Sequence, residues 1–168
     1  RFIRSDIVDK VLLRDLPSLY GIRNTQELNR LFATLVYQTG NEISLEGLSR
    51  SSGVDKNTLK KYIEYLEAAF LIKTVKRVDF SSKRFKRENF FKVYLSNPSM
   101  YSAIYGSVPK EDTETLGSLV ETAVFCQYPQ PLYGNRVFYA RGKGGKEEVD
   151  FVFLNERLKV FDALEVKW

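Results

Sequence analysis

Residues 146–168 constrain the fold of this chain most, because their pattern is typical of two strands joined by a short polar turn at 155–157. Alternation along the first strand predicts one apolar face, formed by Val149, Phe151 and Phe153. Asp150 would share the other face with Val152 and Leu154, which places a carboxylate in an apolar row. A charge in that position is costly unless it is paired with an opposite charge or binds a metal ion.

The second strand carries two further charged residues at alternate positions. A strand period of two places Glu165 and Lys167 on one side and Val166 on the other. One carboxylate from each strand and one ammonium would then converge at one end of the hairpin. Asp150 and Glu165 would suit Mg²⁺ or Mn²⁺, and Lys167 would orient a metal-bound water. The alternative is a surface hairpin in which these groups form cross-strand ion pairs.

The chain of 168 residues has no histidine and one cysteine, Cys126. This excludes histidine-based catalytic triads, makes a structural zinc site improbable and excludes an internal disulfide. A GxxxxGK[ST] motif for ATP is also absent, and Gly142–Gly145 is typical of a hairpin loop. With no run of 18 apolar residues and no signal peptide, the sequence predicts a cytoplasmic protein that does not enter a membrane.

A basic segment stands out between Lys73 and Lys92. It contains eight basic residues and two acidic ones, against a net charge of +5 for the whole chain. A local basic cluster favours an anionic partner, most often nucleic acid. A lysine-rich strand edge that blocks unwanted pairing would give the same composition.

Helical patterns fill the N-terminal part of the chain. Apolar residues recur at helical spacing before Pro17, and Asn24 or Thr25 would cap a second helix that ends near Gly40. The predicted inward residues of that second helix are Leu28, Leu31, Phe32, Leu35 and Val36.

Residues 44–70 have a helix-turn-helix signature. Ser44 would cap a short helix, Gly53 would form the turn, and Asp55 would cap a longer helix. The predicted inward residues of the longer helix are Leu59, Tyr62, Ile63, Leu66 and Phe70. Its exposed N-terminal half would offer four polar groups to DNA: Lys56, Asn57, Lys60 and Lys61.

Two strands, 71–80 and 89–95, flank a basic tip at 81–87. The basic side chains predicted to contact nucleic acid there are Lys83, Arg84, Lys86 and Arg87. A helix-turn-helix followed by a basic hairpin is a winged helix, which serves for DNA binding or for protein docking.

The remaining chain divides into a linker at 98–115 and a second domain at 116–168, after a first domain at 1–97. A helix over 116–127 carries Glu121 at the edge of its predicted inward face. That face would consist of Leu116, Leu119, Val120, Ala123, Val124 and Gln127. A strand over 136–141 would precede the terminal hairpin.

Six segments, in this order and spacing, resemble the C-terminal half of a family of predicted bacterial and archaeal AAA-type ATPases. They are Leu13-Arg-Asp-Leu16, residues 40–72, Phe91-Lys-Val-Tyr-Leu95, Leu116-Gly-Ser-Leu-Val-Glu121, Glu148-Val-Asp-Phe151 and Leu164-Glu-Val-Lys167. The last two also resemble the PD-(D/E)xK nuclease superfamily.

The resemblance implies an α+β fold, with a helical winged helix-turn-helix domain followed by a restriction-endonuclease-like core that is incomplete at its C-terminus. It implies that Glu121, Asp150, Glu165 and Lys167 occupy catalytic positions, with Mg²⁺ or Mn²⁺ on Asp150 and Glu165. It also implies an ATP-binding motor domain outside this chain.

These observations lead to one principal hypothesis, a DNA-associated module whose nuclease-like site hydrolyses phosphodiesters. One alternative is a non-catalytic module for DNA binding or protein docking, in which the carboxylates form ion pairs. Another is a transcriptional regulator with a ligand-binding C-terminal domain. Self-association is expected through the motor domain or the exposed sheet edge near Trp168.

Overall fold

The computed structural model describes residues 2–78, 90–128, 136–142 and 147–168, and its fold is α+β. The N-terminal helix, α1, has π-helical turns at Ile3–Val8 and Val11–Asp15 and α-helical turns at Leu16–Tyr20. The other helices are α2 (Thr25–Tyr37), α3 (Leu45–Ser52), α4 (Lys56–Ala68), α5 (Ser99–Tyr105) and α6 (Thr113–Gln127). None of the helices within these ranges is both long and apolar enough to cross a bilayer.

Six strands form one mixed sheet. They are β1 (Glu42–Ser44), β2 (Ile72–Val78), β3 (Phe90–Leu95), β4 (Val137–Arg141), β5 (Glu148–Leu154) and β6 (Val160–Leu164). Their order in the sheet is β1-β3-β2-β4-β5-β6. The β2–β4 pair is parallel, and the other neighbours are antiparallel. Strands from both sides of the predicted linker therefore share one hydrogen-bonded sheet.

The helix starts expected from the sequence are confirmed by side-chain caps. The Asn24 side chain accepts a hydrogen bond from the backbone N–H of Glu27, and Ser44 Oγ accepts one from Gly47, both at 3.2 Å. Asp55 accepts backbone hydrogen bonds from Asn57 and Thr58 at the start of α4. Each cap satisfies an N–H group that has no partner within its own helix.

Two of the three apolar clusters among the described residues position the helices on the sheet. The larger one joins α1, α2, α3 and α4 to one face of the sheet, and it contains all five predicted inward residues of α2. The second lies between α6 and the middle of the sheet, where the Tyr94 and Phe125 rings stack with centroids 4.4 Å apart. Phe151 of β5 packs against both rings, so α6 is fixed directly over β3 and β5.

Two predicted inward faces need correction. Phe70 is 82% exposed, because it follows α4 with a left-handed backbone (φ +56°) that turns its side chain away from the helix stripe. In α6 the deeply buried residues are Thr122 and Phe125, whereas Gln127 is exposed. The face is shifted because Thr122 Oγ1 forms a 2.8 Å hydrogen bond with Thr39 Oγ1 and Phe125 stacks on Tyr94.

The terminal hairpin forms, but its predicted faces were partly wrong. A register shift between β4 and β5, at Phe138/Ala140, places Val149 in the same apolar cluster as Val152 and Leu154. Asp150 instead faces β3 and α6, as its contacts below show. An irregularity of this kind re-aims a side chain that simple alternation assigns to the opposite face. The second strand ends at Leu164, so residues 165–168 lie beyond it.

Candidate functional site

A buried ammonium group lies at the centre of the charged residues in the middle of the sheet. Lys92 of β3 is 1% exposed, although its strand neighbours are apolar. Its Nζ lies 2.9 Å from a Glu121 carboxylate oxygen, 3.1 Å from Asp150 and 2.5 Å from Glu148. Three carboxylates therefore converge on one cation.

The three acids come from two elements, the helix α6 and the strand β5. Glu121 projects from α6, which is fixed over the sheet by its aromatic contacts. Glu148 and Asp150 are the first and third residues of β5, next to the register shift. The second Asp150 oxygen accepts a 2.9 Å hydrogen bond from the backbone N–H of Val166. The chain that follows β6 thus fixes the orientation of this carboxylate.

Electrostatics keep Lys92 charged despite its burial. Removal from water alone would lower the pKa of its ammonium, because burial disfavours the charged form. The negative charge of Glu121 and the hydrogen bonds to Glu148 and Glu121 outweigh that effect, so the pKa of Lys92 is raised. The ammonium also lies 5.6 Å from the centre of the Tyr139 ring, whose face attracts cations.

Glu121 contacts both the Lys92 ammonium and the Tyr94 hydroxyl. Burial raises the pKa of Glu121, while the Lys92 charge and the Tyr94 hydroxyl that donates to it act in the opposite direction. Burial beside this carboxylate also raises the pKa of Tyr94 well above its usual value. Tyr94 therefore stays a neutral hydrogen-bond donor at physiological pH.

A fourth carboxylate, Glu42 of β1, extends the network across the sheet. It accepts hydrogen bonds from the Tyr139 hydroxyl at 2.6 Å and from Arg141 at 3.0 Å. Arg77 lies 3.5 Å from it. Arg141 also lies 3.6 Å from Glu148, which is one of the partners of Lys92. Acidic and basic side chains therefore alternate without a break from Glu42 to Lys92.

Replacing Tyr94 by phenylalanine should raise the pKa of Glu121 further, because it removes a hydrogen bond that favours the carboxylate. Since the pKa of Glu121 is above its unfolded value of 4.5, its contribution to stability falls as pH rises from that value towards the folded pKa. The variant should extend this pH window upwards. A ¹³C NMR titration of the Glu121 carboxyl measures the shift directly.

Tyr62→Phe is the matched control, because the Tyr62 hydroxyl donates to a different glutamate, Glu27, at 3.5 Å. The control should leave the Glu121 titration where it is in the parent chain. An unchanged Glu121 titration in Tyr94→Phe would contradict the assigned role of the Tyr94 hydroxyl.

The structure brings together two of the four predicted catalytic residues, Glu121 and Asp150. The side chains of Glu165 and Lys167 are 55% and 79% exposed and pair with each other at 3.6 Å. Lys167 forms no ion pair with Asp150 in the described part of the chain. Sequence reasoning missed Lys92 and Glu148. The available signal for Lys92 was a lysine within the apolar strand Phe90–Leu95.

The oxygen donors of Glu121, Glu148 and Asp150 suit Mg²⁺ or Mn²⁺ in their chemistry. In this structure, however, the Lys92 ammonium occupies the position between the three carboxylates. A divalent ion therefore has no room there. Among the described residues, no group of three or more acidic or cysteine side chains has the geometry to hold a metal ion. Metal binding by Asp150 and Glu165 stays a prediction.

The predicted nucleic-acid face lies on a different part of the molecule. Lys56, Asn57, Lys60 and Lys61 are all exposed on the first two turns of α4. Lys56 lies 4.0 Å from Glu46 of α3. The predicted contacts in the basic tip, Lys83, Arg84, Lys86 and Arg87, lie outside the described residues.

Comparison with known families finds a match for the N-terminal part of the chain. Residues 1–111 match the model of a domain of unknown function (DUF8612), which covers about two thirds of the chain. The chain belongs to this family. No curated protein matches it. The DUF8612 region contains Glu42, Lys92 and Tyr94, and it ends just before α6 begins at Thr113. The acids that surround Lys92 therefore come from the chain beyond the DUF8612 region.

Proposed function

We propose that this chain is a DNA-binding module that acts through a winged helix and does not itself catalyse a reaction. The observation that carries the proposal is the exposed basic start of α4. Lys60 and Lys61 form no ion pair within 4.0 Å in the described part of the chain, so their charges are available to an anionic partner.

The order of elements supports this proposal. The succession α2, β1, α3, α4, β2, β3, with an antiparallel β1-β3-β2 arrangement, is that expected of a winged helix. The second helix of a helix-turn-helix presents its N-terminal residues to the major groove. Here that helix is α4, and the lysines lie on its first two turns.

The N-terminal cap of α4 fixes the end of the helix that carries the lysines. Asp55 holds the first N–H groups of α4 through its carboxylate, and its own pKa is lowered by hydrogen bonds from the Thr58 side chain and backbone. The lysines therefore project from a helix whose start is fixed before any partner binds. Preorganisation of this kind reduces the entropy lost on binding.

The charged cluster around Lys92 supports a non-catalytic C-terminal part. Asp150 and Glu121 are engaged by Lys92, while Glu165 and Lys167 pair with each other. These pairings are what the hypothesis of a nuclease-like fold with structural ion pairs expects. Phosphodiester hydrolysis and an ATPase motor in the parent protein rest on the family resemblance alone.

The proposal is tested by measuring the affinity of the chain for fluorescent duplex DNA by anisotropy at increasing salt concentrations. Three phosphate contacts from Lys56, Lys60 and Lys61 should give a slope of log K against log salt of about −3 or steeper. The reference is an uncharged polymer of similar size, to which the chain should not bind. No binding to duplex DNA at about 50 mM salt would contradict the proposal.

A further inference from the structure

Three carboxylates of this chain meet at one cation that the chain itself supplies. We propose that the Lys92 ammonium is the resident cation of this acidic site and takes the place that a divalent metal ion would otherwise have among the three carboxylates. This acidic site shares no residue with the proposed DNA-binding face on α4, and the proposed function does not depend on its cation.

Geometry is the first support. The Nζ atom lies within 3.1 Å of oxygens from Glu121, Glu148 and Asp150, which approach it from α6 and from β5. An ammonium offers three N–H donors, so three acceptors match its full bonding capacity. A hydrated metal ion and this ammonium could not occupy the same point.

Burial is the second support. Lys92 is shielded from solvent, and the side chains of Glu121 and Asp150 are 14% and 12% exposed. Buried carboxylates close to one another either take up a proton or need a compensating cation, because like charges at low dielectric repel strongly. Lys92 supplies this cation as part of the covalent chain, whatever the concentration of metal ions.

Fixation of the acids is the third support. Asp150 is held from its other side by the Val166 N–H, and Glu121 accepts a hydrogen bond from Tyr94. Their oxygens are thus positioned by groups other than Lys92. Removal of the ammonium should therefore leave three oxygen donors around one point, and they would have to draw inwards from their present 2.5–3.1 Å distances to Nζ to coordinate Mn²⁺.

Calorimetric titration with MnCl₂ tests the inference on the full chain and on Lys92→Met. The parent chain should show no manganese site that depends on Asp150. Lys92→Met should gain about one site per chain, and adding Asp150→Asn to it should abolish that gain. Lys76→Met is the matched control, because Lys76 is exposed on the neighbouring strand β2, and it should behave as the parent does.

Each result decides the inference. A manganese site in the parent chain that disappears in Asp150→Asn overturns it, as does a folded Lys92→Met chain that binds no Mn²⁺. If Lys92→Met unfolds without metal, refolding in MnCl₂ supports the inference. If it does not refold, ¹⁵N NMR of the parent chain decides: a Lys92 ammonium signal protected from exchange and unbroadened by Mn²⁺ supports the inference, and its absence overturns it.

Discussion

Replacing Lys92 by methionine is expected to lower the free energy of unfolding by about 3–5 kcal/mol, the usual cost of removing one partner from a buried ion pair. Methionine fills a similar volume, so the loss reflects charge rather than a cavity. Glu121, Glu148 and Asp150 would then lack the ammonium that now lies among them, so their charges would either stay uncompensated or be removed by protonation, and both cost free energy.

Urea denaturation followed by circular dichroism measures this loss. Lys76→Met changes the same residue type at an exposed position, so it should stay within about 0.5 kcal/mol of the parent chain. Adding Glu121→Gln to Lys92→Met removes one of the unpaired charges and should restore part of the stability. A loss below about 1 kcal/mol in the single variant would show that the cluster contributes little to stability.

Changing Lys56, Lys60 and Lys61 together to alanine is expected to weaken duplex binding about tenfold to a thousandfold at moderate salt, and more at low salt. Each lysine that contacts a phosphate contributes about 0.9 to the slope of log K against log salt. The triple variant should therefore reduce the steepness of that slope by up to about 3.

The matched control removes the same net charge from other elements. Lys10, Lys110 and Lys159 are exposed in α1, in the segment before α6 and in the turn before β6. Changing these three to alanine should leave the affinity within about threefold of the parent value, because only long-range electrostatics change. Equal losses in both triple variants would mean that net charge, and not the surface of α4, governs binding.

Local chemistry made much of the helical part predictable. Asn24, Ser44 and Asp55 cap their helices as expected, since each needs only neighbouring backbone N–H groups. The buried stripe of α2 was predictable for the same reason, because helical period alone determines it. Phe70 departs from its stripe because its backbone leaves the helix with positive φ, which periodicity does not encode.

The charged site was only partly predictable, because it depends on contacts between distant segments. Glu121 and Asp150 could be proposed from the residue pattern, but their common partner Lys92 lies 29 and 58 positions away. The register shift in β4–β5 that turns Asp150 towards α6 also has no local sequence signal. The predicted positions of Glu165 and Lys167 assumed that strand alternation continues past Leu164. The strand ends at Leu164, so the alternation does not apply to these two residues.

The parallel pairing of β2 with β4 has a practical consequence for dividing the molecule. Lys76, Arg77 and Val78 pair with Phe138, Tyr139 and Ala140, so one side of β2 is completed by chain beyond residue 111. A fragment cut at that residue would keep the whole family region but would leave this side of β2 unpaired and Lys92 without its acids. Open strand edges recruit other strands, so such a fragment would be prone to aggregation. The limits of the sequence family and the limits of the folding unit are therefore different in this protein.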